Sequence, residues 1–559
     1  MHFIKNFAAT ISFLLIVALG AFLYFYKLDE IPNGLYVDEA VSGYNAYSVL
    51  KTGKDEYGKP FPLAFRFFGS YSPPMHTYLT VPIIYFRGLK ISSPRVISGI
   101  SGLVLVIAVF FFIKSLKIIR SPLTPFLGAF LFAISPWLIF YSRAGYEMNI
   151  GFALFSLGVL YLWLGLKKPK LLLLGFPILS LSSYGAHTER FLVPIIAVLF
   201  LLVFKKVLFL SKKYLSSSLL LAFLIQLPNI YFLSTPAFFT KSTLFYKGAI
   251  FSQAEKIANF LPTFIGVPLA FIREFTSQYL SYFSPRSLFF LGDPDLQRSI
   301  PELSVFYFWM VIPYLYGIYR LFKSIKTDET KFISLLTLVI PIFPALSGDP
   351  FSSQRALPLL LPLSLIIFLG IDGLIYNRKI VYWSLTFLVF SVFSLLLLWR
   401  SYFVLFPKER AKIWGYGFSP LAEEIRKRPN EKFVIDQSRT KPAYIELAYF
   451  LEYPPEELQR SVDPKVRENY YSMVDFKQEY RFANMEIRNI EWKTDIYKEQ
   501  ILVGDELAVS ESQQKEHFLT EVFEIRDPIG YIVFVGYKTN PARKCAATGN
   551  FSLYCKNQR

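Results

Sequence analysis

Over the first 400 residues the apolar positions gather into long runs instead of alternating. The run from Phe7 to Tyr26, behind Lys5, is about the length a hydrocarbon core requires. No small-residue cleavage site follows it, so it predicts an uncleaved first transmembrane helix. Further runs lie near 96–113, 123–141, 150–166, 171–186, 191–210, 216–234, 303–322, 332–347, 357–376 and 380–399. Together they predict about eleven transmembrane helices, with 171–186 the shortest.

Beyond residue 400 the pattern changes. Lys432 to Asp436 and Tyr531 to Tyr537 alternate as strands do, and Ser419 to Arg428 has helical spacing. The expected organisation is a polytopic α-helical membrane domain over 1–400, followed by a soluble α/β domain over 401–559. Two connections are long. The one from Lys27 to Arg95 contains the apolar stretch Tyr78 to Leu89, too short to span, and a later one contains Ile257 to Tyr282, broken by Pro262, Pro268, Arg273 and Glu274. Both stretches predict interfacial helices lying along the membrane surface.

Charge supplies the orientation. Lys5, Lys114, Lys117, Arg120, Lys167, Lys168, Lys170, Lys205, Lys206, Lys212, Lys213, Arg320, Lys323, Lys326, Lys331, Arg378 and Lys379 all fall on one side, against Asp328 and Glu329 alone. The positive-inside rule makes that side cytoplasmic, with the N-terminus inside and the C-terminal domain outside a cell (plasma) membrane. The net charge of +18 is thus mostly topological, since the segment after Trp399 carries 25 Lys/Arg against 24 Asp/Glu, and no nucleic-acid partner is needed to explain it. A composition that is 53% hydrophobic and 18% aromatic agrees with a chain largely in lipid. Cys545 and Cys555, the only cysteines, leave a disulfide and two free thiols equally open.

The unusual polar residues collect on the outer side. After the first helix come Asp38 and Glu39; after the third, Arg143 and Glu147; after the fifth, His187, Glu189 and Arg190; after the ninth, Asp349 and Arg355. Ionisable groups at helix ends beside lipid mark candidate sites. Each has a plainer reading: Asp38 and Glu39 as a helix's acidic first turn, Arg143 and Glu147 as an ion pair four apart, His187 as a structural histidine, Arg190 and Arg355 as headgroup anchors. Their placement on a single face favours a shared site.

The stretch Asp38-Glu39-Ala40, then Gly53-Lys54-Asp55-Glu56-Tyr57-Gly58-Lys59-Pro60 and Phe68-Gly69-Ser70-Tyr71-Ser72-Pro73-Pro74, resembles the first outer loop of the GT-C glycosyltransferases of the protein O-mannosyltransferase and aminoarabinose transferase type, a glycosyltransferase-family-39-like group. Ser135-Pro136-Trp137 through Ser142-Arg143 to Glu147, Tyr184-Gly185-Ala186-His187, Tyr282-Phe283-Ser284-Pro285 with Leu288 to Asp293, and Arg355-Ala356-Leu357-Pro358 are similar to further elements of that family. The resemblance implies transfer of a sugar from a polyprenyl-phosphate carrier to a protein, lipid or glycan acceptor at the outer face. It puts the catalytic base on Asp38 and the second-loop acid on Glu147.

The chemistry suits these residues. An acceptor hydroxyl needs a carboxylate to take its proton, which Asp38 supplies, with Glu39 and Glu147 as further catalytic candidates. A phosphate leaving group needs no acid but gains from a cation; Arg190, Arg355 and Arg66 are the candidates, with His187 beside them. Arg143, Tyr71 and His76 complete the candidate set. A single displacement inverts the anomeric configuration. Carboxylates such as Asp38, Glu39 and Glu147 would suit a hard divalent ion, but with no histidine pair at ligand spacing the expectation is that no metal or other cofactor is required. A transporter would place its charges near the bilayer midplane and often repeats its helices; a receptor or assembly factor would not need the acids and arginines to converge. Those are the competing readings.

Overall fold

The computed structural model describes residues 2–238, 252, 255–256, 260–347, 351–376, 380–439, 443–472, 479–548 and 555. The candidate Asp349, with Gly348 and Pro350, lies outside them, as do Arg378 and Lys379.

The chain begins with α1 (His2–Phe25), whose outward side carries Phe7, Leu14, Leu15 and Phe22, an apolar surface of the kind that faces lipid. Its last carbonyls lack intrahelical donors, and the chain meets that need from far away, as described below. Next comes α2 (Val37–Thr52). Tyr36 precedes it in extended conformation, and the Glu39 carboxylate accepts the Tyr36 N–H, closing the first turn. Asp38 and Glu39 in that turn complement the positive end of the helix. Gly53, at φ +69°, ends the helix in the left-handed region.

A short hairpin follows, β1 (Phe65–Phe67) and β2 (Ser70–Ser72), with Arg66 opposite Tyr71. Then come α3 (Met75–Arg87) and α4 (Arg95–Ser115). The helix expected over Tyr78 to Leu89 is thus formed as α3. The run at 123–141 is not straight: α5 (Thr124–Ala133) and α6 (Pro136–Arg143) meet at 51° across Ser135-Pro136. Beyond them lie α7 (Glu147–Gly165), α8 (Leu172–Leu181), α9 (His187–Leu208) and α10 (Lys212–Leu233). α11 (Thr263–Ser281) takes up the expected interfacial stretch and exposes Phe264, Leu269, Ile272 and Leu280. The membrane part ends with α12 (Val311–Lys323), α13 (Asp328–Val339), α14 (Leu360–Tyr376) and α15 (Ile380–Leu398).

Six helical stretches among the described residues are long and apolar enough to cross a membrane, or seven with the bent α5–α6 pair. One of these, His187–Leu233, runs 47 residues and contains both α9 and α10. The spans expected near 171–186, 303–322 and 332–347 form as α8, α12 and α13, of 10, 13 and 12 residues. At 1.5 Å per residue these are about 15–20 Å long, short of a hydrocarbon core. α12 and α14 approach closely because a methyl group at Gly317 would overlap the Ile366 carbonyl and one at Gly370 the Pro313 carbonyl.

The C-terminal part contains the expected helix as α16 (Phe418–Lys427) and the expected strands as β3 (Phe433–Ile435) and, last in the chain, β8 (Ile532–Lys538). Between them run α17 (Ala443–Phe450), β4 (Tyr480–Phe482), β5 (Met485–Ile487), β6 (Ile501–Gly504) and β7 (Thr520–Arg526). The sheet order is β4-β5-β3-β6-β8-β7, with β3 parallel to β5 and β6 and the other pairs antiparallel. One apolar core joins this sheet to α2 and the turn before it: Leu35, Ala40, Val41 and Tyr44 pack with Phe418, Leu421, Ile445 and Tyr449. The C-terminal part therefore sits on α2, the helix that carries Asp38.

Candidate active site

Successive helical residues point about 100° apart, and that separates two adjacent acids. Asp38 is half-buried and lines a small cavity of about 10 Å³ together with Ser42, Phe65, Phe67, His76, Thr77 and Glu147. Glu39 turns into the protein. Its carboxylate takes Arg95 Nε at 2.9 Å and Nη2 at 2.8 Å, the Gly145 N–H at 2.7 Å and the Tyr36 N–H at 3.1 Å. Arg95 spends its remaining donors on the carbonyls of Leu28, Pro32 and Gly34. Glu39 is thus placed in a saturated structural pair, away from the cavity, which corrects its reading as a catalytic group.

Arg143 is corrected for the same reason. It is fully buried and donates to the carbonyls of Leu23, Tyr26 and Ile31 at 2.6, 2.7 and 2.7 Å, satisfying the end of α1 and the turn beyond it instead of pairing with Glu147. Arg66 departs from the phosphate role through strand parity. Phe65 and Phe67 face the Asp38 cavity, so Arg66 between them faces the other way. There it donates to the Tyr470 carbonyl at 3.0 Å and lies over the rings of Tyr57 and Tyr470.

Three candidates converge on the cavity: Asp38 from α2, His76 from α3 and Glu147 from the first turn of α7. Burial lowers the His76 pKa to about 4, so its imidazole is neutral near pH 7 and offers both a donor and an acceptor nitrogen. Glu147 in turn lies within electrostatic range of Glu189 and Arg190 at the start of α9. Arg190 is buried against the rings of Phe232 and Phe238, and its Nε and Nη1 have no hydrogen-bond partner. His187 Nε2 donates to the Tyr71 carbonyl at 2.8 Å, and the Thr188 hydroxyl donates to the Arg355 carbonyl at 3.1 Å. The start of α9 therefore gathers Tyr71, Arg355 and Glu147. Tyr71 itself is tied by its hydroxyl to the Tyr470 carbonyl at 2.5 Å.

Two charged residues beside this region escape a reading of the sequence alone. Glu446, from α17 of the C-terminal part, is buried next to Asp38; burial and then repulsion from Asp38 hold its carboxyl well above the usual range. A lone acid inside the apolar octet Ala443 to Phe450 was the available signal. Arg298 binds Asp293 at 3.2 Å and lines a further small cavity of about 20 Å³ with Trp137 and Tyr141. Asp293 also accepts the Ser353 N–H and hydroxyl, each at 2.8 Å, pinning that loop to the segment before Arg355. Among the described residues no three His, Cys, Asp or Glu side chains are grouped to hold a metal ion.

No family model matches the sequence, and no curated protein does either. Among solved structures, AglB, the archaeal oligosaccharyltransferase from Archaeoglobus fulgidus in complex with an inhibitory peptide and a dolichol-phosphate, gives a TM-score of 0.47 at 11% identity, over 96% of this chain and 74% of that one. ArnT from Cupriavidus metallidurans, bound to undecaprenyl phosphate, gives a TM-score of 0.51 at 13% identity, over 94% of this chain and 97% of that one. Along nearly its whole length, this chain therefore has the fold of ArnT.

Proposed function

We propose that this protein is a GT-C glycosyltransferase that moves a sugar from a polyprenyl-phosphate carrier to an acceptor hydroxyl at the outer face of the cell membrane. The observation that carries this reading is the convergence of Asp38, His76 and Glu147, from the first turns of α2, α3 and α7, on one cavity. A receptor has no need of such a convergence, and a transporter would place it deeper. Asp38 accepts the proton of the acceptor hydroxyl as that oxygen bonds to the anomeric carbon. The bond from that carbon to the carrier phosphate breaks, and the phosphate leaves with the electron pair, inverting the anomeric centre. Neutral His76 holds a sugar hydroxyl, and Arg190 steadies the departing phosphate. Glu147 lies within electrostatic range of Arg190, while Arg355 and His187 shape the same end of α9.

The reading takes the N-terminus inside, with a membrane catalytic domain over 1–400 and an extracytoplasmic domain over 401–559. The test is transfer of radiolabelled sugar from a panel of polyprenyl-phosphate monosaccharides into membrane and protein fractions, comparing the wild type with Asp38→Asn at matched expression. Transfer by the wild type and a loss of about a hundredfold or more in the variant is expected; equal transfer by both would remove Asp38 as the base, and retained configuration in the product would exclude the single displacement.

A further inference from the structure

β1 separates two cavities. Phe65 and Phe67 face the one containing Asp38, and Arg66, on the opposite face, lines a second one of about 550 Å³ between the first outer loop and the C-terminal part. Its walls are Glu56, Tyr57 and Arg66 from the loop, with Arg460, Ser461 and Tyr480 from the C-terminal part. The floor is held in place by its own contacts. The Glu56 carboxylate accepts Asn45 Nδ2 at 3.1 Å and the Tyr444 hydroxyl at 3.0 Å. The Tyr444 and Tyr480 rings stack at 3.6 Å, and the Arg66 guanidinium lies 5.3 Å over the Tyr57 ring.

The half-buried Tyr57 ring, beside a buried carboxyl, a buried guanidinium and the Ser461 hydroxyl, offers what a sugar ring requires: the ring takes a C–H face and the polar groups take hydroxyls. At about 550 Å³ the space lies within the roughly 300–1,000 Å³ of a small-molecule pocket, is open on one side, and has room for more than a single sugar ring. We infer that this cleft binds an oligosaccharide, holding the distal part of a glycan acceptor while its reacting end is presented to the Asp38 cavity. The inference rests on the transferase reading above, and it narrows the acceptor to a glycan.

The probes are mannotriose, maltotriose, chitotriose and xylotriose, added to the purified full-length protein in a detergent free of sugar headgroups and followed by saturation-transfer NMR. The variants are Tyr57→Ala, which removes a platform, and Ser461→Trp, an exposed position where the indole fills the cleft, each checked for an unchanged unfolding midpoint. Binding of at least one trisaccharide by the wild type and by Asp38→Asn, weakened about fivefold or more in Tyr57→Ala and Ser461→Trp, is expected. The proposal is overturned if no trisaccharide binds, if peptide acceptors bind in their place, if both cleft variants bind like the wild type, or if Asp38→Asn alone abolishes binding. Trisaccharide binding together with no transfer from any carrier-linked sugar would sink the catalytic reading and leave the cleft standing.

Discussion

Glu39 and Arg95 meet in a two-pronged ion pair at 2.8 and 2.9 Å, and neither side chain is reached by solvent. The pair ties the first turn of α2 to the first turn of α4, and the Gly145 N–H brings the α6–α7 connection to the same carboxylate. Removing one partner leaves a buried charge without its complement, which costs about 3–5 kcal/mol. Glu39→Gln and Arg95→Met are each expected to lower the unfolding midpoint of the detergent-solubilised protein strongly. The double variant recovers only part of the loss, because the carbonyls of Leu28, Pro32 and Gly34 still lack their donor. Asp38→Asn, one residue away but facing the cavity, is expected to leave the midpoint nearly unchanged. A large stability loss in Asp38→Asn would mean that the two acids have the opposite division of labour.

Arg190 provides a second prediction. With Nε and Nη1 unpartnered against two phenyl rings, its cation is available to a developing phosphate charge. Arg190→Gln is expected to slow transfer about a hundredfold, in the range seen when one charge-stabilising donor is removed, and Arg190→Lys to recover part of that rate because it keeps the charge and loses the fork. The measurement is the single-turnover rate with saturating carrier-linked sugar. A variant that changes only the donor concentration needed for saturation would move Arg190 from the chemical step to binding.

The buried acids of the connection between α2 and β1 predict a pH dependence of stability. Burial raises the Glu56 pKa from 4.5 to about 8 and that of neighbouring Asp55 from 3.8 to about 6. Between the unfolded and folded values the native protein holds protons that the unfolded chain has released, so stability is full below about pH 4 and falls as pH rises through 6 and then 8. Glu56→Gln keeps an acceptor for Asn45 and removes the proton linkage. Thermal unfolding followed from pH 5 to 9 is expected to show a falling midpoint in the wild type and, in the variant, a flatter curve above pH 6. Curves of the same slope would show that Glu56 ionises normally in the folded protein.

Much of this architecture is written in local patterns. The helices at 75–87 and 418–427 and the strands at 433–435 and 532–538 lie where apolar spacing puts them, because each buries one face against a neighbour. Span number is less local. The run at 171–186 contains Pro177 and yields a ten-residue helix, and the run at 123–141 bends at Ser135-Pro136, so apolar length alone overstates how straight the chain runs. Partners are less local still. Arg95 looks like the end of a loop until the fold brings it to Glu39, 56 residues away, and Asp372 looks like an intruder in an apolar helix until it accepts the N–H groups of Arg120 and Ser121 and the Thr124 hydroxyl. The outward turn of Arg66 was legible in principle, since one strand cannot point three consecutive side chains the same way. Glu446 needed the C-terminal part to be seated on α2 before its place beside Asp38 had any meaning.

Cys545 and Cys555 are joined in a disulfide, with Cα atoms 5.7 Å apart. Such bonds persist in oxidising compartments and are rare where cytosolic reductants keep thiols free, so the pair is a chemical reporter on the side of the membrane that residues 401–559 occupy. The charge of the short loops predicts the outer side. In intact cells a membrane-impermeant maleimide is therefore expected to leave both cysteines unlabelled, and to label them once an impermeant phosphine has reduced the bond, with no need to permeabilise the membrane. Labelling that appears only after permeabilisation would put this part of the chain inside and reverse the orientation of every span. Stability offers a second readout of the same bond: the bridge closes a loop of sequence separation 10, for which chain entropy gives about 3 kcal/mol. Cys545→Ser is accordingly expected to loosen the end of the C-terminal sheet around β6 and β8 while leaving the Glu39–Arg95 pair and the helices beneath it unaffected, a difference that hydrogen exchange measured segment by segment resolves.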